Sequence, residues 1–296
     1  MESILAAGIE LIVWIQASSP AGLHAFFEVF TKLGGSWYLY MVPLVLWCVH
    51  YKTGTRLALG LAITLVVNTT LKVWIGQPRP FEMDARIISA GEAGFGLPSG
   101  HAQMVVVFWG ILAAWVGKRW FWGVAIAMIG LIGYSRVHLG VHFPSDVLAG
   151  WALGALMLWA YLRERERLEG WLAASSPSRL AALAAGLGLF VVLFDQLLVG
   201  DADHLNAGAG GFIAGAGGGI AFASAQVSFE GAGVLWRRAA RFALGMVATL
   251  AALGGMQAVG VPDGPLANLG VAFWTALLGA WLCLGAPWLF TRIKLG

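Results

Sequence analysis

Three short stretches of this chain carry side chains that could do chemistry on an anion. The first is Lys72, followed after six residues by Arg79 and Pro80; the second is Pro98, Ser99, Gly100 and His101. The third is Ser135 and Arg136, then His142 after five residues and Asp146 after three more. Together they supply cations, two imidazoles and a carboxylate. Cations and amides at a helix start are the usual means of holding a phosphoryl group and the charge that develops on its oxygens. His142 and Asp146 are four apart, so with a helix beginning near Phe143 the carboxylate can accept a hydrogen bond from one ring nitrogen. The other nitrogen is then left as a basic nucleophile to which phosphate would be transferred. His101, at another helix start, fits the general acid that protonates the leaving group. Ser99 and the amide of Gly100 offer donors to phosphate oxygens, and glycine lets the backbone come close. Lys72, Arg79 and Arg136 would neutralise the non-bridging oxygens.

The elements that must position these residues are membrane helices. Of 296 residues, 59% are hydrophobic and only 11% charged, against about 25% charged in an average soluble domain. That excludes an ordinary water-soluble protein. Apolar runs of spanning length predict helices near residues 35 to 51, 56 to 75, 102 to 117, 120 to 135, 146 to 162, 180 to 199, 207 to 227, 241 to 260 and 269 to 290. Residues 3 to 17 and 21 to 33 form two shorter stretches, interrupted by Glu10, Glu28 and Lys32, that suit the interface better than a crossing. No basic leader or small-residue cleavage pattern opens the chain, so a removed signal peptide is not expected.

With these spans all three clusters fall at one membrane face and can meet. Basic residues mark the opposite face: Lys52, Arg56, Lys118, Arg119, Arg163, Arg165, Arg167, Arg179, Arg237, Arg238, Arg241, Arg292 and Lys294 lie there, 13 of 18. By the positive-inside rule that face is cytoplasmic. Of the five exceptions, Lys32, Lys72, Arg79, Arg86 and Arg136, three belong to the clusters, and the loop with Asp201 and Asp203 lies on their side.

The three clusters resemble the signature of the type 2 phosphatidic acid phosphatase (PAP2) superfamily, which includes lipid phosphatases, glucose-6-phosphatase and vanadium-dependent haloperoxidases. Its pattern of Lys, six residues, Arg-Pro, then Pro-Ser-Gly-His, then Ser-Arg, five residues, His, three residues, Asp is met at every position, within roughly residues 20 to 165. The resemblance implies an all-α polytopic membrane protein with a six-helix core, a phosphohistidine intermediate, and activity without cofactor or metal. It also implies a site on the periplasmic face of a bacterial inner membrane. About four further helices follow the core, as in glucose-6-phosphatase and sphingosine-phosphate phosphatases. The expected organisation is a phosphatase module over 1–165, a charged cytoplasmic linker over 166–179 and a rear helical module over 180–296.

The expected reaction is hydrolysis of a lipid phosphate monoester or pyrophosphate. A phosphotransferase using the same residues, and a lipid or anion carrier with a regulatory phosphatase module, stay open as alternatives. The partners expected are the lipid phosphate and membrane lipids, with no nucleic acid; homodimerisation is an open reading. His138 falls at an unspecified position of the pattern and is not counted in the site, and His24, His50 and His204 read as packing or interfacial residues. Cys48 and Cys283 lie in apolar runs and read as core or lipid-facing. Gly211, Gly215 and Gly219 form a strip for close helix approach. Asp195, in an apolar run where a carboxylate costs about 2.5 kcal/mol or more at a helix centre, is a candidate second polar site.

Overall fold

A computed structural model describes residues 2–20, 22–89, 91–198, 204–260 and 266–296; Asp201 and Asp203 lie outside them. Among the described residues the regular elements are helices, without a strand. The helices run in the order α1 (Glu2–Ser18), α2 (Leu23–Leu33), α3 (Tyr38–Cys48), α4 (Tyr51–Ile75), α5 (Pro80–Met83), α6 (Gly100–Val116), α7 (Arg119–His138), α8 (Pro144–Ala174), α9 (Pro177–Leu198), α10 (Leu205–Gln226), α11 (Leu235–Val259), α12 (Ala267–Ala280) and α13 (Ala286–Arg292). One π turn, Trp281–Gly285, joins the last two. Among the described residues, seven helical stretches are long and apolar enough to cross a bilayer, and α3 and α6 are shorter apolar helices.

The chain forms two compact units, one of Met1–Tyr38 with Val67–Leu162 and one of Leu39–Val66 with Arg163–Gly296. One boundary, between Leu162 and Arg163, falls at the composition shift near residue 165, and two more arise because residues 39–66 group with the rear helices. The charged stretch expected to begin a linker is instead helix: α8 continues to Ala174. Its charges pair along the helix surface, with Arg167 Nη1 3.8 Å from Glu164 Oε2 and Arg56 bound to Glu169. A short break at Ser175 and Ser176 then precedes Pro177, which opens α9 at the position where a helix tolerates proline.

In the first unit, Ile12, Ile15, Ile87, Ala102, Val137, Phe143 and Val147 form a buried apolar cluster. It ties α1 to the ends of α6, α7 and α8. Two glycines bring α8 onto the first turn of α6. A methyl group on Gly150 would lie 2.5 Å from the Ser99 carbonyl oxygen, and one on Gly154 would lie 2.7 Å from that of Gln103. This is the small-residue approach that membrane helices use when lipid offers no hydrophobic drive to associate.

In the second unit, the glycine strip of α10 does what its spacing suggests. Methyl groups on Gly211 and Gly215 would strike the carbonyls of Ala272 and Ala276 on α12. Cys48 and Cys283 are both buried there as free thiols, in a cluster with Leu46, Trp47 and Phe290. Asp195 is fully buried on α9, beside Gln196, whose side-chain Oε1 accepts from Asn268 Nδ2 at 2.6 Å, and Asn268 Oδ1 in turn pairs with His204 Nδ1 at 2.7 Å.

Gly154→Ala should destabilise the first unit by about 1–3 kcal/mol because the added carbon meets backbone that has no room to give. Gly130→Ala, on α7 with nothing within 4 Å of the new carbon, should gain up to about 1 kcal/mol from helix propensity. Thermal unfolding of both variants in detergent checks this; equal midpoints would contradict the close approach of α8 to α6.

Candidate active site

Helix ends deliver each of the sequence-identified residues. Lys72 lies in the last turn of α4. Arg79 immediately precedes Pro80 of α5, and its amide donates to Glu82 Oε2 at 2.8 Å. Ser99 caps α6, which Gly100 and His101 begin. Ser135 and Arg136 lie in the last turn of α7. Beyond it Gly140 adopts φ 68°, a left-handed conformation that ends the helix. That turn folds the amides of Val141 and His142 back onto the Arg136 carbonyl at 3.2 and 3.3 Å. His142 is thereby fixed next to Arg136 before α8 starts.

Asp146 serves two neighbours from the first turn of α8. Its Oδ2 accepts from the Phe143 amide at 2.9 Å, the reach-back contact of a helix cap. The same oxygen stands 3.3 Å from His142 Nδ1. Gln77 Nε2 donates to the other carboxylate oxygen at 2.7 Å. The Asp146 carbonyl accepts from the Ser99 amide at 2.9 Å, which locks the start of α6 to the start of α8.

On the other side of the ring, Arg79 Nη1 lies 3.3 Å from His142 Nε2. A guanidinium has only donors, so Nε2 is the acceptor and bears a lone pair, while Nδ1 carries the hydrogen that faces Asp146. The tautomer that leaves Nε2 nucleophilic is therefore set from both sides. His142, Asp146, Arg79 and Arg136 are all at most 3% exposed. Burial, and then the charges of Arg136, Lys72, Arg79 and His101, hold the His142 imidazolium well below the ordinary range, so the ring is neutral near pH 7.

The cations are held largely by one loop. Arg79 donates from Nε to the Gly94 carbonyl at 2.7 Å, from Nη2 to that of Ala93 at 2.9 Å and from Nη1 to that of Val141 at 3.0 Å. Lys72 Nζ donates to the Phe95 carbonyl and reaches that of Gly96 at 3.4 Å. Arg136 donates to Thr31 Oγ1 on α2 at 2.5 Å and to Glu92. Glu92 also lies 3.5 Å from Arg79 Nη2.

His101 packs on the Gly34–Gly35 turn; a methyl group on Gly35 would sit 2.5 Å from its Nε2. Ser99 Oγ is buried with no hydrogen-bond partner among the described residues. Gly100 faces Asn68, whose Oδ1 would be 2.9 Å from an added methyl. Asn68 Nδ2 itself donates to the Pro98 carbonyl and to Gln103 Oε1, at 3.2 and 2.9 Å, and so shapes the approach to α6.

His138, by contrast, points away from this group. Its ring lies 4.8 Å from that of Phe27 and 5.8 Å from that of His24, and its Nδ1 is 3.5 Å from Ser19 Oγ. Glu92, Gln77, Thr31 and Asn68 were not identified from sequence. Gln77, Thr31 and Asn68 are polar residues in or beside apolar helices, a signal that could have singled them out. Glu92 sits in a glycine-rich loop outside the apolar helices and carries no such signal.

Residues 53–169 match the PAP2 superfamily, and residues 207–296 match the transmembrane extension of PAP2 superfamily phosphatases. The chain is 28% identical over 158 residues to an undecaprenyl-diphosphatase of Sulfolobus acidocaldarius, which covers 52% of this chain and 76% of that protein. It is 28% identical over 204 residues to lipid phosphate phosphatase delta of Arabidopsis thaliana, covering 63% of this chain but only 48% of the relative. Its fold resembles the crystal structure of a transmembrane PAP2 type phosphatidylglycerolphosphate phosphatase from Bacillus subtilis. The TM-score is 0.50 at 23% identity, over 56% of this chain and 88% of that one. The stretch that holds the site and the helices behind it thus match two parts of one superfamily in order, and the chain belongs to the PAP2 superfamily as a membrane phosphoric ester hydrolase.

Proposed function

We propose that the protein removes phosphate from a lipid phosphate monoester or pyrophosphate through a phosphohistidine at His142, on the extracytoplasmic face of a bacterial inner membrane. The observation that carries this reading is the buried His142 ring, held between Asp146 at Nδ1 and Arg79 at Nε2. A neutral imidazole among cations is suited to attack a phosphorus whose oxygens those cations bind.

Substrate phosphate enters by exchanging for the present partners of the cations. Arg79 Nη1 moves from His142 Nε2 to a phosphoryl oxygen, which frees the lone pair. Nε2 then attacks phosphorus; an N–P bond forms and the P–O bond to the leaving group breaks. Asp146 stabilises the positive charge that develops on the ring, and His101 gives a proton to the departing oxygen. Lys72, Arg79 and Arg136 oppose the charge on the equatorial oxygens, with Ser99 Oγ and the Gly100 amide as further donors. Water, deprotonated by His101, next attacks phosphorus, the N–P bond breaks, and orthophosphate leaves with neutral His142 restored. Cations crowd the seat, so it disfavours a divalent ion, and phosphate release should continue in a chelator.

A lipid substrate is supported by the helices around the site and by the names of the two relatives, both phosphatases of lipid-chain phosphates. The extracytoplasmic assignment rests on the basic residues at the other ends of the spans. Ala85, exposed in the loop after α5, offers a test: Ala85→Cys should react with a membrane-impermeant maleimide added outside intact cells, since Cys48 and Cys283 are buried. Labelling only after lysis would reverse the orientation.

His142→Ala should lower lipid phosphate hydrolysis by about 10^3-fold or more, and Asp146→Asn by about 10^2–10^4-fold through loss of the correct tautomer. Phosphate release from a panel of phosphate lipids in detergent measures both, and full activity of His142→Ala would refute the assigned nucleophile. Label from the substrate found on an acceptor lipid, in place of orthophosphate, would mark a transferase.

The pH profile gives a second check. Arg136 is the first of the charges that hold His142 neutral, so Arg136→Gln should let the imidazolium form more readily and raise its pKa. The acid limb of kcat/KM should then move to higher pH than in the wild type. The substrate's own titration is common to both enzymes, so the difference reports the protein, and an unmoved or lowered limb would contradict the assignment.

A further inference from the structure

Glu92 stands in the middle of the site as one of the partners that substrate must displace, and it takes no part in the bond-making steps above. Its two carboxylate oxygens meet two guanidinium groups, Oε1 at 3.5 Å from Arg79 Nη2 and Oε2 against Arg136 Nη2. Both arginine side chains are at most 4% exposed, whereas that of Glu92 is 33% exposed. Asp146, the carboxylate beside the His142 ring, is fully buried and held by Gln77, the Phe143 amide and that ring. Among the described residues, Glu92 is held by these two arginines alone. Its segment lies between Gly91 and Gly94, both in left-handed conformations that turn the loop back onto the arginines.

Guanidinium forks bind carboxylates and phosphates in the same in-plane geometry. The donors that Glu92 occupies are therefore donors that two phosphoryl oxygens would need, and the two anions exclude one another. Resting on the phosphatase reading, we propose that Glu92 is a resident competitor for the phosphoryl seat and the residue that sets its selectivity for doubly charged phosphate. A membrane presents the site with a large excess of phosphodiester headgroups, each carrying one negative charge. A monoanion gains little by replacing a carboxylate on two arginines. A terminal phosphoryl group with two charges and three free oxygens engages Lys72 as well and displaces Glu92 into solvent. When orthophosphate departs, Glu92 returns and satisfies the buried arginines.

The test uses purified full-length protein in detergent, with orthophosphate and dimethyl phosphate as probes of binding by thermal shift, and orthophosphate as a competitive inhibitor of hydrolysis. For wild type, orthophosphate should raise the melting temperature and dimethyl phosphate should leave it unchanged. For Glu92→Gln, the apparent Kd and the inhibition constant for orthophosphate should fall about 10-fold, and dimethyl phosphate should now bind. Glu92→Asp, which keeps the charge but is shorter by one carbon, should fall between the two and serves if Glu92→Gln does not fold. Orthophosphate binding that is unchanged or weakened in both variants would overturn the inference, because Glu92 would then be supporting the phosphate seat and not contesting it. An absence of any orthophosphate shift in the wild type would instead count against the phosphatase reading itself.

Discussion

The constraint on which the site depends is the burial of positive charge around an imidazole that must remain neutral. Arg79 and Arg136 are 1% and 3% exposed, and a buried cation without partners is costly enough to reshape whatever surrounds it. For Arg79 and Lys72 the chain meets that cost largely with backbone acceptors, and for Arg136 with the Thr31 hydroxyl and the half-buried Glu92 carboxylate. Carbonyls of Ala93, Gly94 and Val141 surround Arg79, and those of Phe95 and Gly96 receive Lys72. Neutral acceptors satisfy hydrogen bonds but leave the positive field in place. Burial first, and that field second, keep a proton off His142, and the field leaves the seat demanding an anion; both consequences serve transfer of a phosphoryl group.

Positioning follows from the ends of helices and from two close approaches. Gly150 and Gly154 let α8 lie on the first turn of α6, which puts the Asp146 carbonyl within 2.9 Å of the Ser99 amide. One turn of chain around Gly140 then fixes His142 to the Arg136 carbonyl. A short set of backbone hydrogen bonds thus relates three separate stretches of sequence. The side-chain amide of Gln77 completes the arrangement by orienting Asp146.

Much of this was legible in the sequence, and the reasons are physical. Lys72, Arg79, His101, Arg136, His142 and Asp146 announce themselves because ionisable groups at the ends of apolar runs are expensive without a purpose. The helices themselves follow from apolar length, and the α10 strip follows from the four-residue recurrence of glycine. Less legible were features set by long-range pairing. The charged run from Arg163 to Glu169 reads as a linker by composition, yet Glu164 with Arg167 and Glu169 with Arg56 let α8 extend through it. The grouping of residues 39–66 with the rear helices depends on contacts such as that of Trp47 Nε1 with the Leu282 carbonyl at 3.0 Å, which no local pattern signals. Glu92 was missed because a carboxylate in a glycine-rich loop between helices looks solvated until the loop is seen to fold onto two arginines.

The central claim is that His142 Nε2 becomes bonded to phosphorus, and trapping that species tests it most directly. Enzyme mixed with a rapidly hydrolysed phosphate lipid and quenched in alkali, which preserves phosphohistidine, can be cleaved by trypsin after Arg136 and after Arg163, which releases residues 137–163 as one peptide, and the peptides weighed and fragmented. The site geometry predicts a phosphoryl group on the peptide that holds His142, present in wild type and lost in His142→Ala. Phosphate on a different residue, or turnover at full rate with no phosphopeptide in either protein, would contradict it.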